Sequence, residues 1–192
     1  YLWEISFNHY YNQEPQIAEK IGVDKIRKIC RGLHELMNGD YTPISDRTIG
    51  SEQKFTIYLD EPEFKLKNSD KYLTVIGKID RVDKLNDDTI EVIDYKTGAR
   101  TDWSSGSNKK KEVEDLYNDI QSRIYHLACS KLYPWAKNVI VTFIYLVDGG
   151  AFNLPYADSD ILETKKIVRK RLKEIELNDN PGRTITWKCK SI

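Results

Sequence analysis

Gly77-Lys78-Ile79-Asp80-Arg81-Val82-Asp83, then Asn86-Asp87-Asp88, then Ile90-Glu91-Val92-Ile93-Asp94-Tyr95-Lys96-Thr97-Gly98: the fold turns on this stretch. Both arms carry β-branched and aromatic residues at alternating positions, and Asn-Asp-Asp between them is turn chemistry, so the stretch predicts an antiparallel hairpin. With Asp87 at the centre of the turn, Asp80 falls directly opposite Asp94. The period of two puts Lys96 on the face of Asp94 and sends Ile79, Ile93 and Tyr95 to the other face. Carboxylates facing each other across two strands sit roughly 5 Å apart at Cβ and repel unless something offsets them. A divalent cation does so, and hard oxygen ligands suit Mg²⁺ or Mn²⁺. A lysine one step beyond can orient a water or hold a phosphate oxygen, which reads as a site for attack on a phosphodiester. An ordinary surface hairpin also has polar residues on its wet face, but it has no need for Asp, Asp and Lys gathered at one end.

Gly77-x-x-Asp80-Arg81-x-Asp83 followed by Ile93-Asp94-Tyr95-Lys96-Thr97-Gly98 resembles the PD-(D/E)XK nuclease superfamily, closest to its RecB-like branch, which includes CRISPR-associated exonucleases. The resemblance implies a restriction-endonuclease-like α/β core, a central mixed sheet flanked by helices. It implies that Asp80 and Asp94 bind metal, that the Tyr95 backbone carbonyl adds a ligand, and that Lys96 assists the attacking water. Glu52, at the head of the preceding strand, matches a position where family members often place a Glu, and is a further candidate ligand. Gln121 and Tyr125, four apart on the helix after the hairpin, resemble the family's Gln-x-x-x-Tyr pair, which lies near the active site and contacts nucleic acid or supports the metal ligands.

Composition sets the bounds. At 192 residues with 40% hydrophobic content, the chain reads as one globular domain able to bury a core. Thirty basic residues balance thirty acidic ones, so any grip on DNA must come from local patches. No run of 18 apolar residues is present, which argues against a membrane span. No charged-then-apolar leader precedes the domain, which leads to the expectation of a cytoplasmic protein. No Gly-x-x-x-x-Gly-Lys-[Ser/Thr] motor loop occurs. Cys30, Cys129 and Cys189 are widely spaced and make no Cys-x-x-Cys pair, so no zinc site is expected.

Along the chain, 1–45 reads as a helical N-terminal part, with Leu2, Ile5, Phe7 and Tyr10, then Ile17, Ile21, Ile26, Ile29, Leu33 and Leu36, as the apolar pattern, interrupted at Pro15 and ended by Gly39, Asp40 and Pro43. Within it Gly32-Leu33-His34-Glu35 weakly resembles the family's Gly-x-x-His setting; the family's own histidine motif is expected upstream of Tyr1. Residues 46–178 read as the nuclease core. Ser51 to Leu59 alternates as a strand, and Asp60 to Asp70 is a connecting loop. Thr97 to Lys111 is a loop leaving the catalytic strand, whose Lys109, Lys110 and Lys111 are candidates for holding a phosphate backbone. Glu112 to Leu132 is expected as one helix striped by Val113, Leu116, Ile120, Ile124 and Leu127, with Cys129 in the core. Val139 to Val147 suits a strand buried on both faces, turned by Gly149-Gly150 into a short edge strand. Asp158 to Leu177 is an amphipathic helix with Ile161, Leu162, Val168, Leu172 and Ile175 inward, and Lys165, Lys166, Arg169, Lys170, Arg171 and Lys173 on a basic outer surface.

Residues 179–192 form a tail that turns β-like, and the chain reads as a fragment trimmed at both ends. Cys189 stands where some RecB-like nucleases open a cysteine cluster, so a [4Fe–4S] centre is conceivable only in a longer parent chain. The expectation is a metal-dependent deoxyribonuclease, an exonuclease by resemblance, acting in DNA repair, recombination or phage- and CRISPR-related processing. DNA is its partner, with a helicase or recombination protein as a further one. The rival is a non-catalytic nucleic-acid-binding or scaffold module that retains the fold.

Overall fold

In a computed structural model of the chain, residues 2–42, 46–101, 109–147 and 150–177 are described. The β-like tail with Cys189, the 102–108 part of the loop, Pro43 and Gly149 lie outside them. Five strands form: β1 (Thr48–Leu59), β2 (Leu73–Lys84), β3 (Thr89–Lys96), β4 (Asn138–Tyr145) and β5 (Ala151–Ala157). They form one sheet in sequence order. β1, β2 and β3 run as an antiparallel meander, β3 and β4 are parallel, and β5 returns antiparallel at the edge. The parallel pair needs a long crossover, and residues 97–137 supply it with two helices. β4, lying between β3 and the edge strand β5, is buried on both faces from Val141 to Tyr145, as its continuous apolar run predicts. Pro155 sits on β5, where a missing N–H is tolerated.

Helices cover both faces. On one side α4 (Val113–Tyr117), α5 (Ile120–Leu132) and α6 (Ile161–Leu177) enclose the main core with Phe55, Ile57, Leu59, Ile79, Val92, Val141 and Leu154. On the other, α3 (Val23–Met37) lays Leu36 and Ile29 over Ile93, Ile144 and Leu146. The first helix, α1 (Leu2–Gln13), packs on α3, with Arg27 of α3 5.3 Å above the Phe7 ring; α2 (Pro15–Ile21) links them. This is a restriction-endonuclease-like α/β architecture, a mixed sheet between helical layers. Among the described residues no helix is long and apolar enough to cross a membrane.

Several local expectations give way to tertiary detail. The N-terminal helical run breaks at Gly22 as well as at Pro15, because Gly22 adopts φ 95°, outside the helical region. Its Ile5, Ile21 and Leu33 are exposed while Phe7 and Leu36 are buried. The helix expected over Glu112 to Leu132 is two. Asp119 caps α5 by accepting from the Gln121 N–H at 2.9 Å, and the Ser122 hydroxyl donates to the Leu116 and Asp119 carbonyls at 2.7 and 2.8 Å. Such side chains compete with the helical ladder and start a new helix instead. On α6 the inward seam is Ile161, Thr164, Val168 and Leu172, whereas Leu162 and Ile175, 69% and 62% exposed, fall off it. Its basic surface is largely paired: Lys165 with Glu61, Lys166 with Glu163, Arg169 with Glu176 and Arg171 with Glu174.

The hairpin register is the expected one from Arg81↔Ile93 to Lys84↔Ile90. The faces are not all as expected. Ile93 and Tyr95 join the α3 cluster, but Ile79 enters the main core with Val82, three residues on, while Arg81 between them turns toward Tyr41 and Tyr95. Alternation along β2 therefore slips by one at Asp80. On β1 the counterpart is Glu52, which lies between Ser51↔Arg81 and Gln53↔Ile79 and adopts φ 51°. A local kink of this kind re-aims a side chain at the end of a strand pairing.

Candidate active site

The slip at Asp80 is where β2 and β3 part. Their ladder stops at Arg81↔Ile93, and the half-buried Asp80 reaches across to accept the Tyr95 N–H through Oδ2 at 3.0 Å. Gly77, which opens the motif, has a packing reason: it pairs with Phe55, whose ring lies where a Cβ would stand.

Beyond the parting, β3 turns Asp94 toward α5. Gln121 and Tyr125, one turn apart on that helix, project together over it. The Tyr125 hydroxyl donates to Asp94 Oδ1 at 2.7 Å, and Gln121 Nε2 donates to the same oxygen at 2.9 Å and to the Tyr125 hydroxyl at 2.8 Å. Gln121 Oε1 accepts from Lys96 Nζ at 2.7 Å, so one amide ties the carboxylate to the ammonium. Lys96 Nζ also lies 2.7 Å from Asp94 Oδ2 and 5.0 Å from the centre of the Phe143 ring. Burial, and next the hydrogen bond to Asp94 and that residue's charge, push the Tyr125 phenol above its ordinary range; the charge of Asp80 adds to the effect. Tyr125 therefore stays protonated and serves as a donor.

Asp94 is 5% exposed, and its Oδ2 meets the Lys96 ammonium at 2.7 Å as an ion pair. A carboxylate oxygen met by a single ammonium keeps a lone pair for a further partner. Asp80, on the neighbouring strand, supplies a second carboxylate at the same parting. Among the described residues no group of three or more His, Cys, Asp or Glu gathers as a ready-made cage. Two carboxylates and hydrating water are what Mg²⁺ commonly accepts, since it dehydrates reluctantly and is held through one or two carboxylates plus substrate phosphate. The donor set fits such an ion.

The remaining candidates sit around this network rather than in it. Glu52 lies across from Asp80, exposed, with its carboxylate paired to Lys78. The Tyr95 ring is on the α3 face, where its hydroxyl accepts from Arg81. Lys109 and Lys110 are exposed, whereas Lys111 pairs with Asp119, the cap of the helix that carries Gln121. His34 lies on α3, where its carbonyl accepts from the Asn38 side chain at 2.8 Å.

Two features escaped sequence reasoning. Phe143, the ladder partner of Asp94, forms the floor under Lys96, and only the β3–β4 register reveals it. Arg81 and Asp83 form a buried pair on the α3 face. Arg81 Nε donates to Asp83 Oδ1 at 2.8 Å, a second guanidinium nitrogen donates to Oδ2, and Thr48 adds a donor at 2.8 Å. Arg-x-Asp inside an otherwise apolar strand is the signal that could have found it.

A family model described as the PD-(D/E)XK nuclease superfamily matches residues 7–191. Among solved structures, one described as "Crystal structure of SSO0001" is similar over 97% of this chain and 76% of that one, at 16% identity and a TM-score of 0.42. A search of curated proteins finds no match.

Proposed function

The chain belongs to the PD-(D/E)XK nuclease superfamily, and on that premise we propose that it is a divalent-metal-dependent deoxyribonuclease of the RecB-like kind. The observation that carries the reading is the network on Asp94: Oδ1 is held by Tyr125 and Gln121, while Oδ2 meets the ammonium of Lys96 at 2.7 Å, which puts a carboxylate and a cation side by side at the parting that holds Asp80.

In this reading Asp94 and Asp80 hold Mg²⁺ or Mn²⁺, with the Tyr95 carbonyl as a further ligand and Glu52 as an outer candidate. When bound, the ion supplies Lewis-acid stabilisation of charge on the phosphate and lowers the pKa of a bound water. Tyr125 and Gln121 fix the rotamer of Asp94, because two donors on Oδ1 turn Oδ2 toward Lys96. Gln121 Oε1 and the Phe143 ring hold the Lys96 ammonium beside that oxygen, from which it donates to a water or a scissile phosphate oxygen. Water adds at phosphorus, the bond to the leaving sugar oxygen breaks, and a phosphomonoester and a hydroxyl remain. The proposal includes attack from a strand end, a role in DNA repair, recombination or phage- and CRISPR-related processing, and a helicase or recombination protein as the partner that delivers DNA. Lys109, Lys110 and Lys111 are assigned to the phosphate backbone.

The test incubates labelled single- and double-stranded DNA with the protein, with and without Mg²⁺ or Mn²⁺. Cleavage that needs metal and disappears in Asp94→Ala and Lys96→Ala supports the enzyme. Metal-independent binding without cleavage supports a scaffold module instead. That second reading is favoured by one observation, the lack of a three-ligand group among the described residues.

A further inference from the structure

β1 and β2 run on past the end of β3. Only Arg81 to Lys84 of β2 pair with β3, while Leu73 to Ile79 pair with β1 alone. The result is a two-stranded arm beside the parting that holds Asp80. One face of the arm is core: Phe55, Ile57, Leu59 and Val75 pack against the main cluster. The opposite face carries Lys54, Thr56 and Tyr58 from β1 and Thr74, Ile76 and Lys78 from β2, every one exposed. Tyr58 and Ile76 are 68% and 75% exposed and sit diagonally across the strand pair, since Tyr58 pairs with Thr74 and Thr56 with Ile76.

Charge on this face is lopsided as well. Lys54 and Lys78 stand directly opposite each other, an arrangement that costs stability when nothing offsets it. Glu52 offsets Lys78, whereas among the described residues no carboxylate pairs with Lys54. The face lies on the side of the sheet opposite the one from which α5 holds Asp94, and it reaches the parting of β2 and β3 at Lys78. Lys78 is two residues from Asp80, and its carbonyl lies 3.3 Å from the Tyr125 hydroxyl that holds Asp94.

We propose that the uncovered face of the β1–β2 arm is a track for single-stranded DNA, with Tyr58 stacking on a base, Ile76 packing beside it, and Lys54 and Lys78 on the phosphates leading toward Asp80. This deepens the nuclease reading and rests on it for where the strand ends. An unpaired strand is the occupant because an exposed ring on a sheet face offers a flat surface to any unstacked base, and cations beside it track the backbone. A duplex keeps its base faces hidden.

The experiment measures binding of a fluorescein-labelled 20-nucleotide oligothymidine by anisotropy, without metal so that no strand is cut, across a salt series. Tyr58→Ala is expected to weaken binding about tenfold and Ile76→Ser by less. Lys54→Gln should flatten the slope of log affinity against log salt by about 0.7. All three positions are exposed, so thermal unfolding should not move. Hydrolysis of bis(p-nitrophenyl) phosphate with Mn²⁺, a substrate too small to reach the arm, should be unchanged in these variants. Affinity and salt slope that match the wild type in all three variants overturn the track, even if the wild type cuts DNA. So does a Tyr58→Ala change that converts a dimer to a monomer in light scattering while leaving oligothymidine affinity intact, because the face then belongs to a second copy. Tyr58-dependent binding by a wild type that hydrolyses neither DNA nor the small diester leaves the track standing and removes the nuclease reading.

Discussion

Two carboxylate–cation pairs lie on adjacent strands with the same spacing, Arg81 with Asp83 on β2 and Asp94 with Lys96 on β3, yet they are chemically opposite. Asp83 is fully buried and complete. Arg81 grips both of its oxygens, Thr48 adds a third donor, and Arg81 further donates to the Tyr41 carbonyl at 2.9 Å. Asp94 is buried almost as deeply, but its Oδ2 meets only the ammonium of Lys96, which is shared with Gln121 and about a quarter exposed. The planar fork of arginine saturates a carboxylate, whereas the point charge of lysine leaves room for another partner. Saturation marks a pair that holds the fold; incompleteness marks one available for chemistry.

The sharpest way to break this contrast is to delete one carboxylate from each pair. Asp94→Ala is expected to lower metal-dependent DNA cleavage by about a thousandfold or more with little change in thermal midpoint. Asp83→Asn should do the reverse. Disrupting a buried pair from one side costs about 3–5 kcal/mol, on the order of a 10 °C fall in midpoint for a chain of this size, while the folded fraction still cleaves. Replacing both partners, Arg81→Met with Asp83→Leu, should recover much of the loss. Equal effects of Asp83→Asn and Asp94→Ala on cleavage per folded molecule would remove the distinction.

A smaller effect sharpens the open pair. Tyr125→Phe removes one donor from Asp94 Oδ1, and Gln121→Ala removes another together with the acceptor for Lys96. Outer groups that orient a metal ligand typically contribute about 10–100-fold in activity or metal affinity. Tyr125→Phe should fall at the low end and Gln121→Ala at the high end.

The smallest effect is on the acid limb of stability. Burial alone would raise the Asp83 carboxyl, but the Arg81 and Thr48 hydrogen bonds and the Arg81 charge outweigh it and hold the group below its ordinary 3.8. Its contribution to stability is therefore full above that value and is lost as pH falls through the lower, folded one. His126 acts in a separate window. Buried on α5, with Nδ1 2.9 Å from the Thr164 hydroxyl, it is pushed down by burial from 6.5 to about 4. The unfolded chain takes up that proton first, so stability falls as pH drops from 6.5 toward 4 and levels off below. Denaturant titrations at stepped pH should show two slopes, the upper one absent in His126→Gln and the lower one in Asp83→Asn.

Legibility in the sequence followed the range of the forces involved. The hairpin, its register and the buried β4 could be read because alternation and turn chemistry act between near neighbours. So could the i, i+4 placement of Gln121 and Tyr125. The side taken by Ile79 could not, since the slip at Asp80 depends on how β1 kinks at Glu52. The break at Asp119 was hidden by an apolar stripe that continues across it. The burial of Arg81 and Asp83 as a pair could not be read either, since it depends on Tyr41 and Tyr95 closing over them.

By itself, then, the order of side chains determined which residues share a strand or a helix turn, because backbone geometry converts spacing directly into direction. Only the packed molecule decided that Asp94 Oδ2 would face a single lysine ammonium while both oxygens of Asp83 are gripped by Arg81. That outcome depends on which helix lands on which face of the sheet and how closely, and no local pattern encodes those distances.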